Sequence, residues 1–206
     1  VDAPRDRAAE AAAVRHAAER LLSAADVDAA LRRMAGEIRF RLAAANPVVV
    51  AVMHGGVFTA VELCRRFDFP YEFAYVHVSR YRDELTGGEL EWHVEPQPHL
   101  AGRTILLVDD ILDGGVTLAA LERSVRALAV GEVYKAVFVV KDIVPPRPRP
   151  EVDFVGVHID DVYVFGCGMD YKGYWRGLPE LLAVTADPTA VSAGAPGSRL
   201  TRRGTR

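Results

Sequence analysis

The chain has 206 residues, half of them apolar and 26% charged, with a formal net charge of −3. That length suggests one domain with a small appendage and a core that needs no staples. The acidic balance argues against a dedicated nucleic-acid binder, whose footprint is a strong basic excess. Two cysteines, Cys64 and Cys167, give neither a disulfide framework nor a paired metal spacing, so a reducing cytosol is the expected compartment.

Residues 1–22 scatter charges among alanines, which fits neither a signal peptide nor a membrane span. Residues 5–22 are expected to form an Ala-rich helix with a weak apolar stripe, so residues 1–20 read as a helical extension of unassigned role. Ser23-Ala-Ala-Asp26 matches a capping box. Val27, Leu31, Met34, Ile38 and Leu42 then recur at helical spacing on one face. Asn46–Met53 is a turn leading into an apolar run, the mark of a strand buried on both sides; it ends in His54-Gly55-Gly56, and a helix is expected over Phe58–Phe67. Tyr71–Val78 reads as a strand. Some two dozen mostly polar residues from Ser79 follow, a loop long enough to be functional.

Thr104–Val108 is another strand, followed by a helix over Thr117–Val130 and strands over Tyr134–Lys141 and Asp153–Ile159. A rigid proline-rich turn separates the last two. From Asp187 onward the composition is Pro, Ala, Gly, Ser and Thr with Arg199, Arg202, Arg203 and Arg206, which points to a solvated, disordered tail over 187–206. The alternation of strand and helix predicts an α/β fold with a mostly parallel central sheet flanked by helices. Ligands on such sheets bind beyond the carboxyl ends of the strands, where both His54-Gly55-Gly56 and the stretch after Val108 fall.

That stretch, Asp109-Asp110-Ile-Leu-Asp113-Gly114-Gly115-Val116-Thr117, brings three acids to the end of a core strand. Like charges crowded there are costly unless a cation or a set of hydroxyls joins them. The two glycines and Thr117 at a helix start offer backbone amides, a hydroxyl and a positive dipole, which together suit a phosphate. A sugar phosphate satisfies both halves, and Mg2+ would relieve the remaining repulsion. Competing motifs fail on spacing. No lysine follows the glycines as a Walker loop requires, and Gly166-Cys-Gly168-Met-Asp-Tyr171 lacks the last glycine of a dinucleotide fingerprint. Too little chain remains after Asp110 for a phospho-receiver domain. His77, His93, His99 and His158 show no metal spacing and carry no assignment.

Ile105–Leu118 resembles the phosphoribosyl pyrophosphate (PRPP) signature of type I phosphoribosyltransferases. Val48–Gly56, Ser79–Leu90, Val139–Lys141 and Val162–Leu181 look like successive elements of the hypoxanthine/guanine branch. The resemblance implies a phosphoribosyltransferase domain over residues 21–186, with a small hood built from N- and C-terminal segments. It implies that Asp109 and Asp110 bind the ribose hydroxyls, directly or through Mg2+, and that Asp113, Gly114, Gly115, Val116 and Thr117 hold the 5′-phosphate. Asp113 would also move the purine's proton. His54, Gly55 and Gly56 would form the pyrophosphate loop, where the family often has a cis peptide, and Arg176 would clamp the pyrophosphate. Lys141 would donate to the purine's 6-oxo group, Tyr163 would stack on the ring beside Val164, and Asp170 would ligate pyrophosphate-bound Mg2+ next to the purine site. Arg80 and Tyr81 would head a lid that excludes water.

The implied reaction joins hypoxanthine or guanine to PRPP, in a cytoplasmic homodimer or homotetramer with neither membrane nor nucleic-acid partners. Three departures bear on this. Arg80 stands where the branch commonly has Ser, Gly114 and Val116 replace more polar residues, and Val162 replaces a residue that is often basic, leaving the 6-oxo contact to Lys141. Alternatives are a transferase preferring xanthine or another base, and a PRPP-sensing regulator on the same fold.

Overall fold

The computed structural model describes residues 4–80, 90–144, 146 and 148–185. The Ala-rich helix α1 (Pro4–Ala17) ends earlier than its composition predicts, because Glu19–Leu22 form strand β1 against Leu181–Ala183. The boundary drawn after residue 20 thus falls inside a strand. The capping box forms as expected: Asp26 N donates to the Ser23 hydroxyl, and Ser23 N donates to the Asp26 carboxylate at 2.9 Å. It starts α2 (Ala24–Leu42), whose Val27, Leu31, Met34, Ile38 and Leu42 are all buried.

Strand β2 (Val48–Met53) runs into α3 (Gly56–Cys64), followed by β3 (Glu72–Arg80) and β4 (Leu90–Val94). The expected long loop after Ser79 therefore contains a strand. Trp92 turns inward beside Val78 while Glu91, His93 and Glu95 stay at the surface, the period-two alternation of a half-buried strand. Next come β5 (Ile105–Leu112), α4 (Val116–Arg126), β6 (Val133–Asp142) and β7 (Phe154–Asp160), then the short β8 (Val164–Phe165) and β9 (Leu181–Ala183). The order of the main sheet is β4-β3-β2-β5-β6-β7, with every pair parallel except β3–β4. A second, antiparallel sheet has the order β1-β9-β8 and joins N- and C-terminal segments.

The pleat of β2 sorts its side chains to two cores. Val49 and Ala51 pack with the α2 stripe and with Ala60 and Leu63 of α3, while Val48, Val50 and Val52 pack with Leu121 and Val125 of α4. Helices on both faces make the central strands apolar throughout, as a parallel sheet requires. Strand β5 continues four residues past Val108, since its ladder with β6 extends to Leu112. Asp109 and Asp110 are therefore strand residues, held in extended backbone by a neighbour rather than by their own propensity.

Candidate active site

The cis peptide bond that the resemblance implies is present between Met53 and His54. Gly55 and Gly56 then lay the backbone directly onto the end of β5. A Cβ on Gly55 would sit 1.8 Å from Asp110 Oδ2, and one on Gly56 would sit 2.5 Å from the Val108 carbonyl. From above, the turn between β8 and β9 presses down at Gly168, where φ is +107° and a Cβ would lie 2.4 Å from the Gly55 carbonyl and 3.1 Å from Asp110 Cβ. Three segments far apart in sequence meet at backbone contact distance, which only glycine permits.

A cavity of about 340 Å³ opens here, lined by His54, Gly55, Asp109, Asp110, Asp113, Gly115, Thr117 and Arg176 among others. Burial pushes the Asp109 carboxyl well above its ordinary range, and the adjacent Asp110 charge pushes it further. Burial also raises Asp110, against opposing hydrogen bonds and the Arg176 charge. Each carboxylate accepts a backbone amide: Asp110 N donates to Asp109 Oδ1 at 3.0 Å, and Ile111 N to Asp110 Oδ1 at 3.1 Å. Such a pair strongly favours the arrival of a cation or of hydroxyl donors.

The cradle beside it is built by Gly115, which caps α4 with φ +75° and contributes no side-chain hydrogen bond to the helix start. Pro150 packs against Gly115, and Arg149 donates to the Lys141 carbonyl at 2.7 Å and the Asp113 carbonyl at 3.3 Å. Asp113 is exposed at the rim, and its carboxylate lies 3.9 Å from the Lys141 ammonium, which Asp161 holds from the other side at 3.1 Å.

Over the other rim, Arg176 donates to the Gly168 carbonyl at 2.7 Å and pairs with Asp170 at 2.5 Å. The second Asp170 oxygen accepts from Gly173 N at 2.6 Å. Tyr163 is 53% exposed, with its hydroxyl donating to the Asp170 carbonyl at 3.0 Å.

The cavity gathers eight of the residues the sequence singled out, and Lys141 joins it through Asp113, as Tyr163 and Asp170 do through Arg176. Gly56 lies beneath it, and Gly114 and Val116 flank the cradle outside the lining. The Val164 side chain is 5% exposed and belongs to the core, which leaves its backbone to face a ligand. Arg80 ends β3, while Tyr81 and the tail from 187 lie outside the described residues.

Sequence reasoning missed Gly168, Asp161 and Arg149. A Gly-x-Gly turn just before the Met-Asp-Tyr segment was the available signal for Gly168. It also missed a row of imidazoles: His54 meets His77 edge-on at 4.5 Å between ring centroids, and His77 lies 4.5 Å from His93, whose Nε2 is 2.8 Å from Ser79 Oγ. Burial, then the neighbouring His54 and His93, lower the His77 pKa.

A larger cavity of about 540 Å³ lies by α2 and α3 and shares Arg176. Its lining is mainly apolar, and Arg66 already pairs with Asp28 and Glu62 at 2.5 and 2.6 Å. The unbalanced charge is in the smaller cavity.

The chain is 28% identical over 154 residues to the hypoxanthine-guanine-xanthine phosphoribosyltransferase of Tritrichomonas foetus, covering 75% of this chain and 84% of that protein. It is 26% identical over 163 residues to the hypoxanthine-guanine phosphoribosyltransferase of Bacillus subtilis, covering 77% and 88%. The fold superposes on a hypoxanthine phosphoribosyltransferase from Trypanosoma cruzi with a TM-score of 0.75 at 23% identity, over 83% of this chain and 97% of that one. The phosphoribosyl transferase domain family matches residues 17–172, and the chain belongs to that family.

Proposed function

We propose that the chain transfers the phosphoribosyl group of PRPP to hypoxanthine or guanine, releasing pyrophosphate. The observation that carries this reading is one polar cavity in which a crowded carboxylate pair faces both a helix start and a glycine loop. Such a cavity suits a ligand with ring hydroxyls between two phosphate groups. The names of the relatives supply the purine.

Asp109 and Asp110 take the ribose hydroxyls, the turn from Asp113 to Thr117 takes the 5′-phosphate, and His54–Gly56 with Arg176 take the pyrophosphate. Tyr163 stacks on the base, and Lys141 donates to its 6-oxo oxygen. Asp113 accepts the proton from the imidazole nitrogen of the purine as that nitrogen bonds the ribose carbon and the bond to pyrophosphate breaks. Lys141 lies near enough to steady the Asp113 carboxylate before transfer, and Asp161 keeps Lys141 in place. Arg80 and Tyr81 belong to the proposed lid.

Mg2+ fits the donor set. Asp109 and Asp110 are crowded carboxylates, while among the described residues no three His, Cys, Asp or Glu side chains form a ready-made metal cage. That suits an ion that takes one or two carboxylates and completes its shell with substrate oxygens. Asp170 is a weaker candidate ligand, because Arg176 and Gly173 already occupy its oxygens. When bound, the ion neutralises phosphate charge. In the same reading β1, β8 and β9 form the hood, and exposed Phe58, Val61, Phe73 and Tyr75 on α3 and β3 supply a face for a homodimer or homotetramer. No described helix is long and apolar enough to cross a membrane, and a cytoplasmic enzyme is the corresponding proposal.

The test is pyrophosphate release from PRPP and Mg2+ with hypoxanthine, guanine, xanthine or adenine. Release is expected with hypoxanthine and guanine and not with adenine, whose 6-amino group opposes the Lys141 donor. Xanthine as the best substrate would shift the base assignment, for which the lack of a donor at Val162 leaves room. PRPP binding with no release for any base would overturn the enzyme reading in favour of a regulator.

A further inference from the structure

Helix α1 precedes the family match, which begins at residue 17. Its composition assigns it no role, yet it is docked. Ala11 and Val14 are buried, and Val14 packs with Phe165 and Leu182 of the small sheet. Apart from the Ala17 carbonyl, which accepts from the Thr185 hydroxyl at 3.0 Å, its polar contacts to the small sheet converge on one short segment, the turn that runs from Asp170 to Arg176. Glu10 Oε1 accepts from the Tyr171 hydroxyl and from the Lys172 ammonium, each at 2.7 Å. Arg7 donates to the Lys172 carbonyl at 3.3 Å, Trp175 Nε1 donates to the Ala11 carbonyl at 2.7 Å, and Arg15 lies over the Trp175 ring at 5.0 Å.

These contacts fall where the turn most needs support. Lys172 and Trp175 are non-glycine residues in left-handed backbone, with φ of +49° and +72°. Side chains disfavour that region, and it persists only where the surroundings fix it. The Tyr171–Tyr174 backbone pair closes the turn from within, and α1 contacts both strained residues from outside. The segment they hold carries Asp170 and Arg176 at its ends. Tyr171 meets the Tyr163 ring edge-on at 6.0 Å, and the Tyr163 hydroxyl rests on the Asp170 carbonyl.

We infer that α1 is a brace for the purine side of the site. Through Glu10 it fixes Tyr171 and Lys172, and through them the position of Tyr163, so that Glu10 is a positioning residue for base binding without touching the base. This rests on the reading of Tyr163 as the stacking residue. The PRPP side has its own supports in Gly55, Gly56 and Gly115, and Arg176 at the far end of the segment is tied separately to the Gly168 carbonyl at 2.7 Å, so the PRPP side leans on α1 less than the purine side does.

The experiment compares Glu10→Ala, Glu10→Gln, Tyr171→Phe and the Glu10→Ala/Tyr171→Phe double variant with the full chain. In steady-state kinetics Glu10→Ala and Tyr171→Phe should each raise KM for the purine about three- to tenfold, the range of one lost hydrogen bond. KM for PRPP should stay within about twofold. The double variant should be little worse than Glu10→Ala alone, because both remove the same bond. Glu10→Gln, which keeps an acceptor for the Tyr171 hydroxyl, should restore most of the purine affinity. Amide hydrogen exchange over residues 171–176 should speed up in Glu10→Ala, and this readout needs no activity. An unchanged purine KM, an equal loss for both substrates, or unchanged exchange would each overturn the brace. If the wild-type chain transfers no purine while exchange still responds to Glu10→Ala, the brace stands and the proposed reaction fails.

Discussion

A methyl group on Gly168 has no room: its Cβ would lie 2.4 Å from the Gly55 carbonyl and 3.1 Å from Asp110 Cβ. The nearest obstacle is backbone, so the relief available to a flexible side chain is missing. Alanine at φ +107° adds strain of about 1–3 kcal/mol. Gly168→Ala should therefore lose about 2–4 kcal/mol, of which strain is about half and overpacking the rest. For a domain of this size that lowers Tm by about 4–16 °C. Relief requires the Gly55 backbone and the Gly168 turn to separate, which loosens the proposed pyrophosphate loop. PRPP affinity should then fall by about tenfold, the equivalent of about 1.4 kcal/mol. Gly102→Ala is the control, since φ there is +71° with nothing within 4 Å of the Cβ. It should show the strain alone, with PRPP binding intact. Calorimetric titration of PRPP and thermal melts of both variants make the comparison. Gly168→Ala with Tm and PRPP affinity equal to those of the Gly102→Ala control would refute the claim that three segments are locked together at this point.

Asp113→Asn should lower kcat by about a hundredfold or more while PRPP still binds; unchanged turnover in a steady-state assay would remove Asp113 from proton transfer. Tyr163→Ala should cost about 1–3 kcal/mol of base binding, seen as a higher purine KM at near-constant PRPP KM, and equal losses would mean the ring does not stack. Glu122 gives a pH test away from the site. Burial raises its carboxyl pKa, but hydrogen bonds from the buried Lys135 and from Arg126 outweigh that and hold it below 4.5. A depressed carboxyl stabilises the fold above its unfolded pKa and loses that contribution as pH falls through the folded value. Denaturant melts of Glu122→Gln should therefore show a deficit at pH 7 that shrinks as pH falls below about 4.5; a deficit independent of pH would contradict the assignment.

The parts of the fold legible in sequence were those with a strong local signal. Ser23 and Asp26 form a box that needs no tertiary partner, and the α2 stripe and the apolar β2 run report their own burial. The parts that escaped depend on distant partners. Strands β1, β8 and β9 have four, two and three residues and exist because residues 19–22 and 164–165 both meet residues 181–183. Helix α1 stops at Ala17 for the same reason. At the site, the acids and glycines of the β5 turn were readable because their spacing is a local pattern. Asp161 and the His54–His77–His93 row were not, since each acquires its place only when separate strands align, and for Gly168 the Gly-x-Gly turn signals a glycine but not the segment it touches.

The central claim is that the cavity between Asp110, Gly55 and Gly115 is built for a phosphorylated ribose bearing pyrophosphate. Titration calorimetry of PRPP into the protein with Mg2+ tests it most directly, with the Asp109→Asn/Asp110→Asn double variant alongside. The account predicts saturable binding at one site per chain, weakened at least tenfold in the double variant, since each lost charge-assisted contact is worth about 1.5–3 kcal/mol. No binding to the wild-type protein, or equal binding to both, would contradict it.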